Sequence, residues 1–265
     1  MKKWLFILVA LSFKYAAAQE LMVFSAPYLP GNDTVLIVKP ASSLLHTKKF
    51  PAVIMLHGWS GNYKGWNQMV NLQKYADDYQ FVIICPDGFY DSYYLNSPVV
   101  ANSQYESFFF GMLLPELKAK LPIDSTKIFV TGLSMGGHGA LYLFCQRPDL
   151  FLSAGSMSGV HDLTASSQKK KSLSRILGEY SKNRKKFKEY SVLKKVENLK
   201  GLDKHILFDC GTEDYLYKCN NALRKKCDKL KIQATYISQP GAHNVSYWQN
   251  AVKYHFDFFA KKCGQ

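Results

Sequence analysis

Short runs of consecutive apolar residues alternate along this chain with longer stretches of helical periodicity. Val35-Leu36-Ile37-Val38, Ala52–Leu56, Phe81–Ile84, Ile128–Val130 and Ile206–Phe208 are β-branched or aromatic, and Pro, Gly or charged residues bound them. Runs of this kind, without a polar residue at every second position, predict strands buried on both faces. Thr235–Gln239 reads as a further strand. Helical patterns fall near Trp66–Tyr79, Gln104–Lys120, Gly137–Gln146, Tyr215–Leu230 and Ser246–Lys261. Strands alternating with helices predict an α/β fold: a mostly parallel central sheet with helices on both faces. In such sheets ligands bind beyond the carboxyl ends of the strands, so the residues just after each run are where chemistry is expected. No internal repeat or low-complexity tract interrupts the pattern.

The first residues follow a different logic. Lys2 and Lys3 precede an apolar run, Trp4–Phe13, and Ala16 and Ala18 supply the small residues that a signal peptidase accepts. The expectation is a signal peptide over 1–18, cleaved near Ala18-Gln19, and an exported catalytic domain over 19–265, periplasmic or secreted. The apolar run is too short to span a bilayer, and no other stretch is long enough. No cysteine opens the mature chain, so a lipid anchor is not expected.

Composition narrows the class. With 265 residues and 47% hydrophobic residues, the chain has ample material for one large core, which excludes a disordered or fibrous protein. The net charge of +14 would suit a nucleic-acid partner if it were spread along a groove. Instead, residues 169–200 alone hold 12 Lys and Arg against 3 Glu. Apolar residues such as Leu173, Ile176, Leu177, Phe187 and Val192 are interspersed there, which predicts a basic helical insertion at about 165–200. Its charge reads as a solvated outer face, with a lid or an anchor for acidic polymers as the sharper alternative. Nucleic acid is therefore not an expected partner. The six cysteines show no metal-ligand spacing and are expected to pack as buried thiols. Cys219 and Cys227 lie about 12 Å apart along one helix, too far for a disulfide.

The chemistry begins at Gly132-Leu133-Ser134-Met135-Gly136, a G-x-S-x-G pentapeptide directly between a predicted strand and a predicted helix. A sharp strand-to-helix turn of this kind lifts the serine hydroxyl above the sheet's carboxyl edge. The helix that follows points its positive end at the site. A serine hydroxyl needs a base to take its proton, and the base needs a carboxylate to orient it. The expected chain order is Ser, then Asp or Glu, then His. Ile206–Phe208 leads into Asp209-Cys210-Gly211-Thr212-Glu213-Asp214, and Thr235–Gln239 leads into Pro240-Gly241-Ala242-His243. Among seven histidines, His243 alone combines this order with a strand end. His46 and His255 have no strand end nearby, His205 precedes its strand and His57 precedes the serine. His138 sits on the nucleophile's own helix, and His161 follows Ser158-Gly159. The assignment is Ser134 nucleophile, His243 base and Asp214 acid, with Glu213 the alternative acid. The oxyanion hole needs two backbone N–H groups. Met135, after the nucleophile, and Trp59, in the His57-Gly58-Trp59-Ser60-Gly61 loop after Ala52–Leu56, are the expected donors.

Taken together, Leu56–Gly61, Pro86-Asp87-Gly88, Gly132–Ala140, Ser158-Gly159 with Asp162, Cys210–Asp214 and Gly241–His243 with Tyr247-Trp248 resemble the esterase D-like branch of the α/β-hydrolases. That branch includes tributyrin-type esterases, carbohydrate acetyl- and feruloyl-esterases, S-formylglutathione hydrolase and the mycolyltransferases. The resemblance spans nearly the whole mature chain and implies the α/β-hydrolase fold. It places nucleophile, acid and base on Ser134, Asp214 and His243, and the oxyanion donors on Trp59 and Met135. It further implies substrate contacts near Tyr93 and Tyr94, in the segment after Pro-Asp-Gly, and at Trp248. The activity implied is hydrolysis of short-chain acyl esters, with acetyl or feruloyl groups on carbohydrates as substrates and neither metal nor organic cofactor. Export disfavours a cytosolic glutathione thioester. Two other functions fit the same residues less directly. They are an acyltransferase using the same triad and a glycan-binding protein relying on the basic insertion.

Overall fold

The computed structural model describes residues 19–44, 48–165 and 171–265. The predicted signal peptide, His46 and residues 166–170 of the predicted insertion lie outside the described residues. Eight strands form one sheet: β1 (Gln19–Phe24), β2 (Asp33–Val38), β3 (Phe50–Leu56), β4 (Val82–Pro86), β5 (Ile123–Gly132), β6 (Ser153–Met157), β7 (His205–Gly211) and β8 (Gln233–Gln239). Their spatial order is β1-β2-β4-β3-β5-β6-β7-β8. β1 and β2 run antiparallel at one edge, and all pairings from β4 to β8 are parallel.

The helices are α1 (Gly65–Met69), α2 (Leu72–Tyr79), α3 (Tyr105–Phe108), α4 (Leu114–Lys120), α5 (Met135–Gln146), α6 (Lys171–Leu177), α7 (Tyr180–Tyr190), α8 (Val192–Lys195), α9 (Tyr217–Leu230) and α10 (Val245–Lys262). A π-helical turn, Phe109–Leu113, joins α3 to α4. Side chains alternate across the sheet with a period of two. Ala52, Ile54, Val82 and Ile84 face one core layer, shared with α3 to α9. Val53, Met55, Ile83 and Cys85 face the other, closed by α2 and α10. Helix α5 sits at the centre of the first layer and is buried on every side from Met135 to Cys145, so it is apolar all round rather than amphipathic.

Two strands were not legible as apolar runs. β6 reads Ser-Ala-Gly-Ser-Met, and its small residues let α10 close in: a Cβ on Gly155 would lie 2.2 Å from the His255 ring. β1 is an edge strand whose Leu21 and Val23 are exposed. The predicted helix over Trp66–Tyr79 is two helices, broken where Val70 is extended and Asn71 caps α2 by accepting the Lys74 amide at 3.0 Å. Four of the six thiols are buried, and all six are free.

Candidate active site

The site forms along the edge of the sheet where β3, β5, β7 and β8 end, with β6 between β5 and β7. Ser134 stands between β5 and α5 with φ 54° and ψ −113°, a conformation that an L residue adopts only under strain. The flanking glycines make this turn possible. A Cβ on Gly132 would lie 2.5 Å from the backbone of Gly136, and one on Gly136 would lie 2.3 Å from the Leu56 carbonyl. Both distances are shorter than any real contact, so larger residues would push β3 and α5 apart.

His243 reaches this point from the far side of the sheet. Its Nε2 lies 2.9 Å from Ser134 Oγ, and its Nδ1 lies 2.8 Å from Asp214 Oδ2. Because a carboxylate only accepts, Nδ1 carries the hydrogen and Nε2 is free to accept the serine O–H. The Asp214 side chain has no exposed surface, and its other oxygen accepts the Leu216 amide at 2.8 Å. The two loops that carry Asp214 and His243 are laced together. The Glu213 amide donates to the Gly241 carbonyl at 3.0 Å, and the Thr212 amide donates to Gln239 at 2.9 Å. Asn244 then caps α10 by accepting the Tyr247 amide. The imidazole of His243 packs between Tyr215, 4.6 Å between ring centres, and Trp248, 5.0 Å and edge-on. Glu213, the alternative acid, is exposed, and the Nδ1 of His243 is taken by Asp214.

The amides of Met135 and Trp59 have no intramolecular acceptor among the described residues. Both belong to segments that border Ser134: Met135 opens α5, and Trp59 lines the same cleft as Ser134. That cleft has a volume of about 430 Å³. Its walls include Trp59, Gln68, Met69, Leu133, Tyr215 and Trp248. Trp59 is 49% exposed and Tyr215 is 60% exposed, so two aromatic faces stand open at its mouth. Of the three substrate contacts expected from sequence, Trp248 alone lies in this wall. Tyr93 and Tyr94 are buried. Sequence reasoning missed Tyr215, Gln68 and Met69. Tyr215 was findable as the residue directly after Asp214, whereas Gln68 and Met69 sit on a short helix with no motif.

The remaining described histidines are held in structural roles. Burial holds His57 below its ordinary value, with Nδ1 2.7 Å from the Gly58 carbonyl and Nε2 against the Asp87 carbonyl. Burial lowers His138 to about 4 and His161 to about 3, so both are neutral at ordinary pH. His205 meets Thr235 Oγ1 at 2.9 Å, and His255 pairs with Asp209 in the core. Among the described residues no group of three His, Cys, Asp or Glu side chains could hold a metal ion. No helix among them is long and apolar enough to cross a membrane.

Comparison with known proteins gives a consistent result. Residues 26–259 match the model of a family described as "Esterase: Putative esterase". The chain is 23% identical to an acetyl esterase of Caldicellulosiruptor saccharolyticus, across 90% of this chain and 96% of that protein. It is 26% identical to the S-formylglutathione hydrolase of Mus musculus, across 76% of this chain and 78% of that one. Among solved structures, FphF, a fluorophosphonate-binding serine hydrolase of Staphylococcus aureus, superposes with a TM-score of 0.79. It shares 19% identity and covers 92% of this chain and 98% of its own.

Proposed function

This chain belongs to the esterase family, in the esterase D-like branch of the α/β-hydrolases, and is a carboxylic ester hydrolase; from that premise we propose that it is an exported serine esterase acting on short-chain acyl esters through Ser134, His243 and Asp214. The observation that carries this reading is the unbroken hydrogen-bonded line from Asp214 through His243 to Ser134.

In the first half-reaction Ser134 Oγ bonds to the ester carbonyl carbon as its proton passes to His243 Nε2. Asp214 keeps the imidazole in the productive tautomer and stabilises the imidazolium. The carbonyl oxygen becomes an oxyanion, and the free amides of Met135 and Trp59 are the donors available to it. The carbon–oxygen bond to the alcohol then breaks, and the alcohol leaves with the proton from Nε2. In the second half-reaction water gives a proton to the same nitrogen as its oxygen bonds to the acyl carbon; the bond from that carbon to Ser134 Oγ then breaks, Oγ takes the proton from Nε2, and the carboxylic acid leaves. The chain supplies nucleophile, base and electrophilic stabilisation from its own residues.

Acetyl or feruloyl groups on carbohydrates are the proposed substrates. The similarity to an acetyl esterase supports the short acyl group. The open aromatic faces of Trp59 and Tyr215 suit a ring on the substrate. The basic start, apolar run and small residues of 1–18 support export. A panel of p-nitrophenyl esters from acetate to octanoate, run beside methyl ferulate and acetylated xylan, tests the substrate class. Ser134→Ala is expected to abolish turnover on every ester with the fold unchanged. Retained turnover in a clean preparation would remove Ser134 as the nucleophile.

A further inference from the structure

Tyr93 and Tyr94 are two consecutive non-glycine residues with positive φ, 49° and 59°. Each adopts a conformation in which the side chain crowds its own backbone, so the surrounding structure must hold it there. Tyr94 has no exposed surface, which keeps it from touching substrate. Its surroundings are nonetheless built with care around one hydrogen bond. The Tyr94 amide donates to Ser92 Oγ at 3.0 Å, and its ring packs edge-on against Tyr105, 5.1 Å between centres. A Cβ on Gly139 would lie 2.2 Å from the ring, and one on Gly88 would lie 2.4 Å from it, so two glycines leave its slot open. The hydroxyl at the end of this slot donates to the main-chain carbonyl of His57 at 3.0 Å.

That carbonyl is half of the peptide unit that joins His57 to Gly58. A peptide unit is planar, so fixing the direction of its C=O fixes the opposite direction of its N–H. The next peptide unit, Gly58 to Trp59, is fixed in the same way. The Gly58 carbonyl accepts the Gly61 amide at 3.0 Å. The His57 ring is held in turn by the Asp87 carbonyl at Nε2 and by the Tyr94 ring, 5.8 Å away and edge-on. The Trp59 amide, proposed above as an oxyanion donor, is thus the free end of two clamped peptide planes.

We propose that Tyr94 is the positioning residue of the oxyanion hole: its buried hydroxyl clamps the His57–Gly58 peptide and so aims the Trp59 N–H at the developing oxyanion. This rests on the reading of Ser134 as nucleophile and Trp59 as donor. Tyr94 acts through His57 and the loop, and takes no part in proton transfer.

Tyr94→Phe keeps the ring and removes only the hydroxyl. The expected result is a fall in kcat for p-nitrophenyl acetate of about 10- to 100-fold, below the loss seen when an oxyanion donor itself is removed. KM stays within about twofold, because the ground-state ester gains little from the hole. Affinity for phenylboronic acid, which forms a tetrahedral adduct on an active serine, falls by the same factor as kcat/KM. A merely structural tyrosine would lower the active fraction instead, leaving kcat per fluorophosphonate-titrated site and boronate affinity unchanged, and that pattern would overturn the proposal. Should Tyr94→Phe fail to fold, the boronate complex of the unaltered enzyme decides. Trp59 N within hydrogen-bond reach of the adduct oxygen, with the Tyr94–His57 bond kept, supports the proposal, and an oxygen bound by other donors overturns it. Failure of the underlying site reading has a separate sign: turnover that survives Ser134→Ala, or no boronate binding by the unaltered enzyme.

Discussion

His255 donates from Nε2 to the carboxylate of Asp209 at 2.8 Å, with both side chains closed off from solvent, while its Nδ1 accepts the Thr131 hydroxyl, also at 2.8 Å. The same three kinds of group therefore meet twice in this molecule, once in the core and once at the sheet edge with Ser134, His243 and Asp214. Exposure separates them, because no substrate can reach Thr131. The core set ties α10 to β5 and β7. Asp209→Ala leaves a buried N–H without an acceptor, and is expected to cost about 1–3 kcal/mol of stability. Turnover per folded molecule should stay within about threefold. Full stability with lost turnover, measured by urea unfolding beside ester hydrolysis, would move the acid role from Asp214 to Asp209.

The neighbouring acids Glu213 and Asp214 separate in the same manner. Asp214 holds His243 Nδ1, whereas Glu213 contributes to the site only through its backbone amide. Asp214→Asn puts a donor where the imidazole needs an acceptor and forces the wrong tautomer. A loss in kcat of about 10⁴ is expected, by analogy with the corresponding aspartate of a serine protease. Glu213→Gln is expected to change kcat/KM by no more than about twofold. Equal losses in the two variants would contradict the geometry.

Asp33 gives the fold a pH dependence of its own. It opens β2 without exposed surface and accepts the amides of Gly88 at 3.0 Å and Asp87 at 3.3 Å. Burial nevertheless pushes its carboxyl up from 3.8 to about 7. The native state thus holds this proton more tightly than the unfolded chain does. The resulting stabilisation is complete below the unfolded value and is lost as pH rises through about 7. His138 and His161, lowered to about 4 and about 3, act in the opposite direction: their contribution is present above 6.5 and is lost as pH falls. Comparing Asp33→Asn with the unaltered protein cancels the histidines. The variant should gain stability relative to the parent between pH 5 and pH 8, at up to about 1.4 kcal/mol per pH unit. Parallel urea midpoints across that range would show that Asp33 does not titrate there.

The parts legible in the sequence were those where one local rule sufficed. The apolar runs of the parallel strands β3, β4, β5 and β7 announce themselves because such strands, buried on both faces, tolerate few polar residues, and antiparallel β2, buried beside β4, shows the same run. Ser134 and His243 were legible from the G-x-S-x-G motif and from an expected chain order combined with strand ends, a rule that left Glu213 open beside Asp214. β6 was hidden because its role is to be thin. Gly155 and its small neighbours admit the His255 ring, a requirement set by α10 about a hundred residues later. Tyr94 was misread for a related reason. The family resemblance implies a substrate contact in the segment after Pro86-Asp87-Gly88, and only the left-handed backbone of Tyr94 and the slot left by Gly88 and Gly139 turn its side chain inward. The cleft wall at Gln68 and Met69 had no local signature, since α1 is placed by packing rather than by motif.

The basic insertion allows a last prediction, because its two readings separate at neighbouring residues of α7. If the segment were a mobile lid, its contacts with the body would be few and replaceable. Instead Leu173, Ile176, Leu177, Phe187, Val192 and Val196 are buried in the main core layer. Its backbone is also tied down beside the site. The Leu193 amide donates to the His161 carbonyl at 3.0 Å, Ser191 Oγ accepts the Leu163 amide at 2.9 Å, and the Tyr190 carbonyl meets His138 at 3.0 Å. The Arg175–Asp91 ion pair adds a tether at the surface, where such pairs contribute little. Phe187 fills the core end-on against Tyr180, 4.9 Å between ring centres, whereas Lys185 is exposed. Phe187→Ala is therefore expected to cost about 3–5 kcal/mol, through lost burial and the cavity left behind. Lys185→Glu is expected to stay within about 0.5 kcal/mol and to leave hydrolysis of p-nitrophenyl acetate unchanged. A lid would give the reverse pattern: a small stability change at Phe187 with altered kcat and KM. Thermal unfolding and steady-state kinetics on the two variants distinguish a structural wall from a moving one.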